Sequence, residues 1–231
     1  MELTPFLKAA KSGDINQIKE LQEQGEDIDQ VSKSGSSALI YAAENGQFNI
    51  VKYLIENGAD PAIQTNLGGT ALNRAAETGN IEIMKYLLDN GTPIGNLALI
   101  VAAREGHLGA VELLINHGAD INAQQRWGQT ALMLAAREGH LPVVKFLLDS
   151  GANVRLKDKN GDTALNIALD NDNPDIAMLL RRAGAKAQAR KKVIPVQADD
   201  DEDEDDPAAD VDDLISDDDE VPPEDVDLDD I

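Results

Sequence analysis

The chain contains no cysteine among its 231 residues and few aromatic side chains, 3% in all, with a single tryptophan. Disulfides, thiolate nucleophiles and cysteine-based zinc sites are thereby excluded. A core without large rings must be built from Ala, Leu, Ile and Val, which suits closely packed helices, and the 42% hydrophobic content can supply it. No apolar run approaches the roughly 18 residues needed to span a bilayer. The N-terminal stretch from Met1 to Pro5 has neither the basic nor the apolar region of a secretory signal. The expectation is a soluble cytoplasmic protein, or a nuclear one in a eukaryotic cell, with no membrane insertion. A Gly-x-x-x-x-Gly-Lys phosphate loop and a nucleophile elbow are also missing, so neither an enzyme nor a cofactor is expected.

Bases are scarce too, and the charge is unevenly distributed. Of the 43 acids, 20 fall between Asp199 and Ile231, where there is no base; residues 1–198 hold the other 23 against all 20 bases, a net of −3. The acidity of the chain, −23 overall, is thus that of its C-terminal end. Self-repulsion and sparse apolar residues predict a disordered acidic tail over 199–231, joined by a basic linker at 186–198 that carries Lys186, Arg190, Lys191 and Lys192. Such a polyanion repels nucleic acid and anionic membrane and attracts basic proteins. It could also fold back on Arg104, Arg126 and Arg137, or serve only to keep the chain soluble.

What the sequence does have is repetition. The segments TPFLKAA at 4–10, SALIYAA at 37–43, TALNRAA at 70–76, LALIVAA at 97–103, TALMLAA at 130–136 and TALNIAL at 163–169 align. Their first alanines are spaced by 33, 33, 27, 33 and 33 residues, and the closing glycines Gly25, Gly58, Gly91, Gly118, Gly151 and Gly184 keep the same spacings. Each unit reads as helix, tight turn, helix. A Thr or Ser supplies the N-cap, Gly13, Gly46, Gly79, Gly106 and Gly139 supply the turn, and apolar residues at helical spacing, such as Ile50, Val51, Leu54 and Ile55, mark the second helix. The end units exchange apolar for polar residues: Gln17 and Gln22 stand where repeat two has Ile50 and Ile55, and Arg181 stands at the latter position in repeat six. Polar ends of this kind keep a stack soluble and monomeric, so a complete, monomeric array of six repeats is expected.

These units resemble the ankyrin repeat, in which a Thr-Pro-Leu-His-x-Ala-Ala helix follows a β-hairpin with an Asp-x-x-Gly-x-Thr tip. The stretch from Asp158 to Thr163 matches the tip, and Gly35, Gly68 and Gly128 occupy its glycine position. Alanine replaces the proline except at Pro5, and Leu7, Ile40, Asn73, Ile100, Met133 and Asn166 stand at the histidine position. The resemblance implies an all-α solenoid of helix-turn-helix units joined by β-hairpin loops over residues 1–185. The repeats fall at about 1–29, 30–62, 63–95, 96–122, 123–155 and 156–185, with polar capping repeats at the ends. It further implies a protein-binding module that meets its partner with hairpin tips and the exposed ends of the first helices. Carried over, the tip residues are Lys33, Asn66, Leu67, Arg126, Trp127, Gln129 and Lys159, and the helix-end residues are Glu44, Glu77, Arg104, Glu105, Arg137 and Glu138.

Two anomalies refine this. Trp127 occupies a tip position that need not be large, and tryptophan is among the commonest binding hot spots; the alternative is that it lies on neighbouring hairpin stems. The 27-residue spacing leaves repeat four without a tip, since only five residues separate Gly91 from Leu97. The missing tip would stand beside Trp127, which predicts a notch flanked by Leu67 and Trp127, or else a neutral deletion in a tolerant loop. The three histidines, His107, His117 and His140, have no metal-ligand spacing and read as structural. The region around Asp158 lacks the acid pattern of a calcium loop. Two functions fit: an adaptor or regulator binding one protein on the tip face, or a chaperone that escorts a basic protein with the help of the acidic tail.

Overall fold

The computed structural model describes residues 3–184; the linker and the acidic tail lie outside the described residues. Among the described residues twelve helices follow one another in pairs: α1 (Pro5–Ser12), α2 (Ile15–Glu23), α3 (Ala38–Glu44), α4 (Phe48–Glu56), α5 (Ala71–Glu77), α6 (Ile81–Asp89), α7 (Asn96–Arg104), α8 (Leu108–Asn116), α9 (Ala131–Glu138), α10 (Leu141–Asp149), α11 (Ala164–Asp170) and α12 (Pro174–Arg182). The six pairs are the six repeats. Odd-numbered helices stack in one layer and even-numbered ones in a second, which makes an ankyrin-type solenoid.

Local chemistry fixes each pair. The hydroxyls of Thr4, Ser37, Thr70, Thr130 and Thr163 accept from the amide three residues on, at 3.3–3.4 Å, and satisfy one orphan N–H at the start of five of the six first helices. The Ala-Ala pairs at 9–10, 42–43, 75–76, 102–103 and 135–136 are all no more than 1% exposed. Their small side chains let one first helix approach the next, and the core runs without interruption from Phe6 to Leu180. Each second helix ends on paired bonds: Gly58 N donates to Ile55 O at 3.1 Å and Ala59 N to Leu54 O at 3.0 Å, with the same pattern at Gly118 and Gly151.

The turn inside each repeat is where neighbouring repeats are joined. His107 Nε2 lies 2.9 Å from Glu77 O, and His140 Nε2 lies 2.7 Å from Arg104 O. Asn173 Nδ2 donates to Ala136 O and Arg137 O, both at 3.0 Å. In repeats four, five and six the residue after the turn thus reaches back to the end of the preceding repeat's first helix. The imidazole of His107 covers Gly79 and that of His140 covers Gly106. Both histidines are structural. In repeat six the turn position is Asp172, whose φ of 54° is the left-handed region that an acid tolerates better than most side chains.

Repeat four departs from the aligned pattern. Leu97 aligns with the capping threonines, but α7 begins earlier, at Asn96, and is capped by Gly95 without any side-chain hydrogen bond. The shortened connection lets the chain enter the helix before it reaches the usual cap. Thr92 stands where other repeats have Ala59, Ala119 and Ala152, its amide donating to Leu87 O at 3.1 Å in the usual closing pattern. It is 4% exposed, and its hydroxyl is buried with no hydrogen-bond partner. A buried unsatisfied hydroxyl costs about 1–3 kcal/mol. Thr92→Val, which keeps the shape and removes that hydroxyl, is therefore expected to raise stability by about 1 kcal/mol in urea denaturation. A loss of stability would show that the hydroxyl is in use.

Candidate protein-binding site

The hairpin tips expected from the sequence are present as five-residue turns, too short to form strands. In tip two Ser32 N donates to Ser36 O at 2.9 Å, in tip three Thr65 N to Gly69 O at 2.8 Å, in tip five Gln125 N to Gln129 O at 3.0 Å, and in tip six Asp158 N to Asp162 O at 3.0 Å. The fourth residue of each is a glycine at positive φ. A single isolated bridge, Val31 to Ser37, is the only β-pairing among the described residues. In tip six Asp158 Oδ1 accepts from the amides of Asn160 and Asp162, both at 2.9 Å, so its carboxylate closes the turn.

Backbone bonds join the tips two by two. Asn66 N donates to Ser34 O at 2.8 Å, and its side-chain amide donates to Lys33 O at 2.9 Å. At the other end Lys159 N donates to Trp127 O at 2.9 Å, and Gln124 Nε2 donates to Lys157 O at 3.0 Å. Tip glycines permit this closeness: a Cβ on Gly128 would sit 3.1 Å from Asp158 Cα. Among the described residues no backbone hydrogen bond joins tip three to tip five. The edge is therefore two stitched blocks, tips two and three and tips five and six, with the deletion of repeat four between them. Leu97 leans across that interval, its Cδ1 4.0 Å from where a Cβ on Gly68 would stand.

Of the tip residues, Lys33, Asn66, Leu67, Arg126, Trp127 and Lys159 are exposed and Gln129 is partly buried. Leu67 at 38% and Trp127 at 36% are large apolar side chains left in solvent on either side of the deletion. Lys159 Nζ lies over the indole of Trp127, 5.1 Å from its centroid, so the ring is oriented by the neighbouring tip. The sequence did not foretell this contact, which crosses from one repeat to the next.

The helix-end residues divide. Glu44 and Glu138 are exposed, and Arg137 pairs with Glu138 at 2.8 Å. Arg104, expected on the surface, is instead 4% exposed. Its Nε lies 2.8 Å from Glu105 Oε1 and its Nη2 lies 3.5 Å from Glu77 Oε1, while Glu77 Oε2 is 3.1 Å from Arg74 Nη1. Arg104 and Glu77 are drawn into a buried ion network because each meets a charge on the next inner helix. Arg74 is the member that sequence reading passed over. The signal was a base on α5 at the position of Tyr41, Val101, Leu134 and Ile167. Buried ion pairs of this kind set register more than they add stability. Arg104 and Glu77 thus couple repeats three and four, while the tips and the helix-end residues Glu44 and Glu138 stay accessible.

Among the described residues no group of three His, Asp or Glu side chains is placed to hold a metal, and no helix is long and apolar enough to cross a membrane.

Comparison with known proteins accords with this geometry. No curated protein matches the chain. Among solved structures, the human ASB11 ankyrin repeat domain is 28% identical, with a TM-score of 0.73, covering 81% of this chain and 87% of that one. A chain from the complex of the Bd0816 predatory endopeptidase of Bdellovibrio bacteriovorus with the immunity protein Bd3460 is 29% identical, with a TM-score of 0.69, covering 79% of this chain and 99% of that one. A family model for ankyrin repeats matches three times, at residues 6–96, 58–125 and 99–191, and the chain belongs to the ankyrin-repeat family.

Proposed function

We propose that this chain is a non-enzymatic adaptor or regulator that holds one protein partner on its hairpin edge, around the interruption at repeat four. Ankyrin repeats mediate protein–protein interaction. The observation that carries the finer reading is the edge itself: two rigid blocks of tips, with Leu67 and Trp127 exposed on the two sides of the gap. Large apolar groups in solvent beside the missing tip are what a binding hot spot requires, and the stitched tips lose little freedom on binding. That one similar chain comes from a complex between an endopeptidase and an immunity protein supports a role in which the array occupies another protein's surface. The protein acts as a cytoplasmic monomer, with the array at 1–185 as the binding unit.

A second reading, escort of a basic protein, is favoured by the 20 acids and no base of residues 199–231. Pull-downs at low and high salt, with the full chain and with a chain ending at Ala198, separate the two. The edge reading predicts that the partner is retained, at equal or higher affinity, by the shortened chain. The escort reading predicts weaker retention by the shortened chain and a steep fall with salt for the full one.

A further inference from the structure

The two blocks of the edge differ in charge. The hairpins at 26–36 and 59–69 carry the acids Glu26, Asp27, Asp29 and Asp60 and one base, Lys33. The hairpins at 119–129 and 152–162 carry Arg126, Arg155, Lys157 and Lys159, all exposed. From Val154 to Lys159 exposure alternates: Val154 and Leu156 pack toward the core, and Arg155, Lys157 and Lys159 face solvent. Of the three acids of this block, Asp158 and Asp162 are partly buried and only Asp120 is exposed. Asp120 Oδ1 accepts from Asn122 N at 2.9 Å, Asp158 Oδ1 closes tip six, and Asp162 Oδ1 accepts from Asn166 Nδ2 at 3.3 Å. The exposed charge of tips five and six is therefore cationic, although the chain as a whole is strongly acidic. At its edge stands Trp127, one face of the indole under the Lys159 ammonium.

Resting on the edge as the binding surface, we infer that the partner offers an acidic segment in extended form: carboxylates opposite Arg155, Lys157 and Lys159, and an apolar side chain against Trp127. The backbone that presents the cations is already held, through Lys157 O and Lys159 N, so binding needs little ordering. Opposite charge steers such a segment to this end of the array and rejects basic ones. Nucleic acid fits less well. The cations alternate with inward-facing residues along one short hairpin and flank a single ring, so the patch offers neither a continuous cationic track nor a row of stacking platforms.

The sole tryptophan makes the test direct, because its emission reports on this patch alone. Short labelled peptides alternating Glu with Leu, Lys with Leu and Ser with Leu, together with a thymidine oligonucleotide, are titrated into the full chain at low and high salt. The Glu–Leu peptide should bind most tightly, shift the Trp127 emission and weaken as salt rises. The double variant Arg155→Glu, Lys157→Glu should bind it about tenfold more weakly or worse, with helical content unchanged. If a Lys–Leu or Ser–Leu peptide or the oligonucleotide binds as tightly, or the Glu–Leu peptide fails to bind, the acidic inference is overturned. The edge reading survives that result when the better ligand still shifts Trp127. Glu–Leu binding that neither moves Trp127 nor responds to charge reversal overturns both.

Discussion

Replacing Gly106 with alanine should destabilise the array by about 3 kcal/mol, one of the largest effects expected of a single methyl group. Two costs add. The φ of Gly106 is +76°, where an L-residue pays about 1–2 kcal/mol. The new Cβ would also stand 2.6 Å from His140 Nδ1 and 2.7 Å from Cε1, closer than carbon tolerates. The imidazole cannot simply swing aside, because its Nε2 is 2.7 Å from Arg104 O and joins repeat five to repeat four. Moving it gives up a hydrogen bond of about 1 kcal/mol. Gly118 is the control: its φ is +90°, but a Cβ there would meet nothing within 4 Å. Gly118→Ala should therefore cost only the backbone part, about 1–2 kcal/mol. Urea denaturation of the two variants separates backbone strain from packing; equal losses would show that the histidine gives way freely.

That glycines sit at the turns was legible from the spacing alone, since two independent landmarks kept one register. Why Gly79 and Gly106 cannot carry a side chain was not legible, because the obstruction comes from a histidine about a full repeat away. The same limit explains the other differences. Leu97 aligned with a cap, yet α7 starts at Asn96, because a connection six residues shorter closes on itself before the cap position is reached. Arg104 aligned with exposed helix ends, but its neighbour across the stack, Glu77, which also pairs with Arg74, is an acid that draws it inward. Trp127 was singled out by its size at a tip, whereas its partner Lys159 belongs to the next repeat. Period and capping are local and could be read from the residues. Contacts between repeats depend on the pairing of two positions about one repeat apart in the chain, and only the folded stack brings them together.

Trp127→Ala should weaken partner binding by about 2 kcal/mol, roughly 30-fold, while leaving stability nearly unchanged. The ring is 36% exposed and stands outside the core cluster, so its removal leaves no cavity there. What is lost is the area presented to the partner and the placement of Lys159 above it. Leu97→Trp acts from the other side. Leu97 spans the interval next to Gly68, and an indole there would fill the recess between the two blocks of tips. Binding should be lost without any group that contacts the partner having been removed. The position is only partly buried at the first turn of α7, so the larger ring has solvent to extend into and the helix stack is undisturbed.

The proposed binding site lies where the repeat is broken. Its most direct test is a titration of the Leu97→Trp variant with the partner recovered in the pull-down, with thermal unfolding followed on the same sample. Loss of binding with an unchanged unfolding midpoint is the predicted result; a filled recess that still binds at the affinity of the unaltered chain would contradict it.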